Sequence, residues 1–263
     1  MINRQGAVAS QFSRAAHSYD MHAQVQLGVA RSLLAWLPPN DSPGMAADLG
    51  AGTAPMAWQQ RRLRPNYHWW AVDFSSAMLA EARDRGRMAP NYQGLCANAM
   101  QLPLADESLQ LLYSSFALQW CQDLSALSAE LFRVAAPGAD FLLAVPVQGT
   151  LRELAACWAK VSHDRHVNSL ATSEQWVKAL SAAGWLIEDM AEQQITEHYA
   201  SVRAVLEQLK HTGANHVTER RAGLMGKQQW QAFVTAYEQL RQNAGVPMTW
   251  QVLMLRLKRG NQC

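Results

Sequence analysis

The sequence has no stretch approaching the ~20 uninterrupted apolar residues that span a bilayer, so no membrane association is expected. Residues Met1 to Asp20 lack an apolar core of the kind that marks a secretory leader. Cysteine is scarce: Cys96, Cys121, Cys157 and Cys263 are scattered, with no C-x-x-C pair. That spacing suits neither a disulfide framework nor a structural zinc site and fits a reducing, cytoplasmic setting. No H-E-x-x-H motif occurs among the eight histidines, and no metal is expected. Charge of one sign is also lacking. A net charge of +2 does not announce a nucleic-acid binder, and no nucleic acid is expected as a partner.

What is present is a globular composition, 49% apolar and 17% charged, in a chain long enough for a large core. Val25, Val29, Leu33 and Leu37 stand at helical spacing before Pro38-Pro39. Short apolar runs follow at Met45–Leu49, Trp69–Val72, Leu109–Ser114 and Phe141–Val145. Between them lie helical patterns, one from Ser76 to Arg87 and one from Leu124 to Val134, capped by Asp123 and stopped by Pro137-Gly138. Strands alternating with helices predict an α/β fold with parallel pairing in a doubly wound sheet. Thr172 and Gln175 form a capping box ahead of a helix closed by Gly184. Strands are predicted at Trp185–Ile195 and Trp250–Leu257. Between them Val202, Val205, Leu206 and Leu209, then Trp230, Phe233, Val234 and Tyr237, predict a helical insertion over the sheet's carboxyl edge.

The densest chemical signal is Asp48-Leu49-Gly50-Ala51-Gly52-Thr53-Ala54: a strand end, a glycine turn that admits close ligand approach, and a helix start with Pro55 in its first turn. Asp73 closes the next strand, where a carboxylate can take both hydroxyls of a ribose. The dinucleotide pattern G-x-G-x-x-G is not met, because Met56 and Ala57 follow the turn. No phosphate-cradling lysine follows, which excludes a P-loop.

The three segments Asp48–Thr53, Val72-Asp73-Phe74-Ser75-Ser76-Ala77-Met78-Leu79 and Asn98-Ala99-Met100-Gln101-Leu102-Pro103-Leu104-Ala105-Asp106 resemble the successive motifs of class I S-adenosylmethionine-dependent methyltransferases. The resemblance implies a Rossmann-like, mostly parallel seven-stranded sheet with helices on both faces and the insertion between its last two strands. It also implies an allocation of contacts. Gly50 and Gly52 pass under the methionine part of S-adenosylmethionine, Asp73 holds the ribose, Phe74 and Met78 flank the adenine, and Asn98 and Ala99 meet its edge; Ser115 joins them from the end of the fourth strand. Asp48 either touches ligand or orients the turn, and Met78 serves equally well as core. Two departures stand out: Ala54 where the class usually has glycine, and Asn98 for a commoner aspartate.

Over nearly its whole length the sequence also resembles the malonyl-carrier-protein O-methyltransferases of biotin synthesis. The likeness rests on Phe12-Ser13-Arg14-Ala15-Ala16-His17-Ser18-Tyr19-Asp20, on Ser115-Phe116-Ala117-Leu118-Gln119-Trp120 and on Leu209-Lys210-His211-Thr212-Gly213-Ala214-Asn215. It implies transfer of a methyl group to the free carboxylate of a malonyl thioester on acyl carrier protein; the alternative is another small-carboxylate or small-molecule O-methyltransferase. A malonyl carboxylate is ionised at pH 7 and needs no general base, only dehydration, alignment and a counter-charge. Arg203 is the candidate counter-charge, with an exposed arginine as the competing reading. Tyr19 is the candidate lid residue, and Phe116, Gln119, Trp120 and, more weakly, His211 are candidate pocket walls. The division expected is a lid over residues 1–40, a core over 41–198, an insertion over 199–247 and a final strand over 248–263. Basic clusters at Arg61, Arg62 and Arg64, at Arg83, Arg85 and Arg87, and at Lys210, Arg220, Arg221 and Lys227 compete as docking surfaces for the carrier, the last being favoured.

Overall fold

The computed structural model describes residues 13, 17–40, 42–162, 164, 166–211 and 226–260. A short helix α1 (Tyr19–His22) leads into α2 (Gln24–Leu34), whose Val29, Ala30, Leu33 and Leu34 are buried on one stripe. Then come β1 (Gly44–Leu49), α3 (Ala57–Leu63), β2 (Tyr67–Asp73), α4 (Ser76–Asp84), β3 (Tyr92–Cys96), β4 (Leu109–Ser115), α5 (Leu124–Val134) and β5 (Ala135–Pro146). The remainder is α6 (Arg152–Ala159), α7 (Ser173–Ala182), β6 (Trp185–Tyr199), α8 (Val202–His211), α9 (Lys227–Glu238) and β7 (Val246–Arg259).

The strands form one seven-stranded sheet in the order β3-β2-β1-β4-β5-β7-β6. The pairs from β3 across to β5 are parallel, and β7 runs antiparallel between β5 and β6. Two apolar cores flank the sheet. One packs α2, α3, α4, α6, α8 and α9 against it and the other packs α5 and α7, so both faces are covered. Because β6 runs parallel to β5, its end at Tyr199 lies on the sheet's carboxyl edge, and α8 and α9 leave from there. Chain order reverses between β1 and β4, which opens the crevice where ligands of such sheets sit.

Several caps fall where the sequence puts them. Asp123 accepts from the Ala126 N–H, and Thr172 and Gln175 make the full capping box. Other features differ. The predicted helix 76–87 ends at Asp84, and α3 starts at Ala57, with Pro55 in the preceding turn. Pro137-Gly138 does not stop α5; the helix already ends at Val134, and the pair sits in an irregular start of β5, where pairing jumps from Leu109–Ala135 to Leu111–Asp140. Gly138, at φ +72°, makes that detour possible. Strand β3 and helix α6 are elements that periodicity did not single out.

Candidate active site

The parallel register of β1 and β2 sets Leu49 beside Val72, so both chains leave the sheet together. The Gly50 and Ala51 N–H groups donate to the Val72 carbonyl at 2.7 and 3.0 Å, bending the chain sharply. Gly50 has φ +72°, and a Cβ there would stand 2.0 Å from the Ala117 Cβ, so only glycine fits. Gly52, at φ +56°, would place a Cβ in open space, leaving its backbone approachable. Ala54 is also left-handed, at φ 51°, which gives a physical reason for the class's usual glycine there.

Asp73 ties the second motif to the first. Its Oδ2 accepts from Gly52 N at 2.8 Å and its Oδ1 from Ser75 N at 2.8 Å. Burial raises its carboxyl to about 6 against the pull of those two N–H groups. Each oxygen keeps lone-pair capacity toward the crevice. Ser75 then caps α4 by accepting from Met78 N, which fixes Met78 at the first turn.

Around this turn lies a cavity of about 720 Å³, counting its open mouth. Of the residues singled out from sequence, Tyr19, Asp48, Gly50, Gly52, Asp73, Phe74, Met78, Ser115, Phe116 and Trp120 line it. Asp48 lies in the cavity wall and is held from behind by side chains of α3 and β3. Its Oδ2 accepts from Gln60 Nε2 at 2.8 Å and from the Tyr92 hydroxyl at 3.2 Å, and burial raises its carboxyl to about 7. Phe116 holds a left-handed backbone, φ 54°, that a bulky side chain rarely adopts, and its ring packs edge-on against Trp250.

Five expected residues fall elsewhere. The Asn98 amide oxygen accepts from Met100 N at 3.0 Å and so holds its own turn, while Ala99 packs into the second core. Gln119 folds back, its Nε2 donating to the Phe116 carbonyl at 2.8 Å. His211 stacks on His22 with ring centroids 4.1 Å apart. Arg203, the candidate counter-charge, is not among the residues that line the cavity. Its neighbour Val202 points into the core, so Arg203, about 100° further round the helix, faces water; its side chain is 85% exposed and pairs with Glu207 at 2.9 Å.

The basic clusters change meaning in a similar way. Arg64 is buried, bonded to the Leu63 and Pro38 carbonyls. Arg85 and Arg87 grip Asp20. Arg220 and Arg221 lie outside the described residues, as do Thr212 to Asn215 of the insertion motif and Phe12 and Arg14 to Ala16 of the N-terminal one. Conversely, Gln26, Leu27 and Ala30 of α2 line the cavity without having been singled out. The available signal was a glutamine on the apolar stripe of a helix: Gln26 is 9% exposed, one turn before Val29 and Ala30. No lysine, arginine or histidine lines the cavity among the described residues; its ionisable carboxyls are Asp48 and Asp73.

Glycines shaped for close approach, an acceptor-rich carboxylate and the apolar walls of Phe74 and Met78 fit a nucleoside joined to an amino-acid chain. Fold and site define a class I methyltransferase, and residues 47–143 match the family model described as "Methyltransferase domain". Solved structures agree on the fold alone. The YcgJ protein of Bacillus subtilis (TM-score 0.60, 15% identity, 92% of this chain and all of that one) shares it. So does a geranyl diphosphate methyltransferase solved with its methyl donor (TM-score 0.56, 13% identity, 88% and 84%). Similarity in sequence is narrower. The malonyl-[acyl-carrier protein] O-methyltransferase of Alcanivorax borkumensis is 48% identical over 98% of this chain and 88% of its own length. The Serratia marcescens protein of that name is 36% identical over 90% and 89%. A biotin biosynthesis bifunctional protein of Saccharophagus degradans matches over 93% of this chain and 45% of its own. The chain belongs to the malonyl-[acyl-carrier protein] O-methyltransferase family.

Proposed function

We propose that the protein methylates the free carboxylate of a malonyl thioester carried by acyl carrier protein, with S-adenosylmethionine as donor, for biotin synthesis. The observation that carries this reading is kinship over nearly the full chain, lid and insertion included, and not over the cofactor core alone. When bound, S-adenosylmethionine supplies a sulfonium-activated methyl group whose transfer to a carboxylate oxygen leaves a neutral thioether and an ester. Asp73 holds the ribose, the backbone from Gly50 to Gly52 supports the methionine part, and Phe74 and Met78 enclose the base.

On the acceptor side the cavity offers neutral donors. Burial and the charges of Asp73 and Asp20 push the Tyr19 phenol well up, so it keeps its proton and can donate to a carboxylate oxygen. Gln26, which lines the same cavity, carries a neutral amide. With no lysine, arginine or histidine lining the cavity among the described residues, the acceptor's counter-charge is assigned to the sulfonium itself. That arrangement is favourable for rate. A guanidinium clamp would stabilise the ionised ground state and be lost as charge is neutralised in the transition state, whereas neutral donors in a dry cavity restrain the carboxylate less. Residues 1–40 act as lid and 199–247 as the acceptor-facing insertion of the core. The experiment is mass spectrometry of malonyl-carrier protein after incubation with enzyme and S-adenosylmethionine. One added methyl, removable by mild alkali as an ester is, supports the reading. No addition, or methylation of the carrier polypeptide, overturns it.

A further inference from the structure

The N-terminal segment enters the site through four consecutive residues with divided allegiance. Tyr19 faces the cavity, Met21 is 68% exposed, and His22 stacks on His211 of the insertion while its carbonyl accepts from Gln208. Asp20 points the other way, into the cofactor motifs. Its Oδ1 accepts from the Thr53 hydroxyl of the glycine turn at 2.6 Å, and its Oδ2 from Arg85 Nη1 at 2.9 Å and Arg87 Nη2 at 2.5 Å.

Those arginines are themselves placed by the same motifs. Arg87 Nη1 also donates to the Thr53 carbonyl and hydroxyl at 2.7 and 3.0 Å. Arg85 reaches the His17 carbonyl at 2.7 Å and Glu81 at 2.7 Å. Earlier in the segment, the Ser13 hydroxyl stands 2.9 Å from that of Ser75, the residue Asp73 holds. The Asp20 side chain is 14% exposed, and both arginines are about a quarter exposed, so water screens the cluster only in part.

We propose that Asp20 is a positioning residue for methyl transfer: it latches the segment carrying Tyr19 onto the glycine turn and the end of α4, so that Tyr19 is held over the cavity only while the turn keeps its cofactor-ready shape. A hydroxyl and two guanidiniums converging on one carboxylate fix direction as well as distance, because each occupies a separate lone pair. Tyr19 is the residue before it, one peptide unit along the chain, so its Cα cannot shift far without moving that carboxylate. The inference rests on the cavity being the methyl-transfer site, and it is read against wild type: absence of wild-type turnover would count against the function, not the latch.

The test uses the full chain with Asp20→Asn, Tyr19→Phe, the double variant and Arg85→Gln, measuring cofactor affinity by calorimetry, kcat and KM on malonyl-carrier protein, and thermal melting. Asp20→Asn is expected to lower kcat/KM roughly tenfold or more, the scale of one charge-assisted contact. Its effect and that of Tyr19→Phe should not multiply: the double variant should be no worse than about twofold below the poorer single one. Arg85→Gln should show a smaller loss that Asp20→Asn masks. Losses that multiply independently would overturn the latch, as would wild-type kinetics in Asp20→Asn. A lowered melting temperature with unchanged kinetics below it would reduce Asp20 to a structural ion pair and equally overturn it.

Discussion

The cofactor half of the site, from β1 to the end of β4, and the proposed acceptor half, from α1, α2 and the turn after β4, differ in how their parts come together. In the first, neighbouring parallel strands end side by side, and each motif is a strand end, a turn and a helix start. Gly50, Gly52, Asp73, Phe74, Met78 and Ser115 therefore reach the cavity by local geometry. In the second, the groups come from α1, α2 and the turn after β4, brought together by helix packing. A local site tolerates little substitution at few positions; an assembled one distributes its work over several weak contacts.

That contrast is sharpest at Asp73. Asp73→Ala removes the proposed ribose acceptor and leaves the Gly52 and Ser75 N–H groups without their partner, so S-adenosylmethionine affinity by calorimetry should fall at least roughly tenfold, with a lower melting temperature. Unchanged affinity would break the cofactor half of the account. Gln26→Ala should act on the other half alone, raising the KM for malonyl-carrier protein several-fold, up to about tenfold for a contact to a charged acceptor, with cofactor affinity intact. A matching loss of cofactor affinity would merge the two halves.

Asp48 tests the buried support under the turn. Its folded carboxyl sits at about 7, above the ordinary 3.8, so the folded state binds the extra proton. The stability this contributes is complete below pH 4 and disappears as pH rises toward 7. Asp48→Asn should therefore melt higher than wild type at pH 8, by a margin that shrinks steadily toward pH 4; a constant margin would remove the titration. Arg203→Ala should change kcat/KM less than about twofold, as for an exposed i,i+4 pair, and a large loss would restore Arg203 to the acceptor half. Ala54→Gly should have the smallest effect. Relief of a left-handed alanine, ~1 kcal/mol, is largely offset by the entropy of glycine in the unfolded chain, so the melting temperature should move by only a few degrees.

The sequence made the sheet legible wherever a strand is buried on both faces: β1, β2, β4 and β5 read as plain apolar runs. It hid β3, an edge strand whose Gln93 and Gly94 are exposed and which, among the described residues, pairs with β2 alone. It hid α6 because Pro146, Gly149 and a left-handed Leu151 interrupt the pattern just before it. Within the site, the place of Asp73 in the cavity wall was legible because it follows from ending a strand. The roles of Arg203, Arg85 and Arg87 were not, since a charge cluster in sequence carries no information about which carboxylate folding brings beside it. Arg85 and Arg87 meet Asp20 across more than sixty positions.

In the proposed reaction, neutral donors and the cofactor's own charge hold the acceptor. Acceptor affinity on enzyme preloaded with S-adenosylhomocysteine, a neutral sulfide, or with sinefungin, which carries an ammonium where the sulfonium would be, tests it directly. Calorimetry with malonyl-carrier protein should give binding several-fold tighter in the sinefungin complex, and the difference should vanish when the malonyl group is replaced by an uncharged acetyl group. Equal affinity for the malonyl form in both complexes would mean that a cation of the protein supplies the counter-charge.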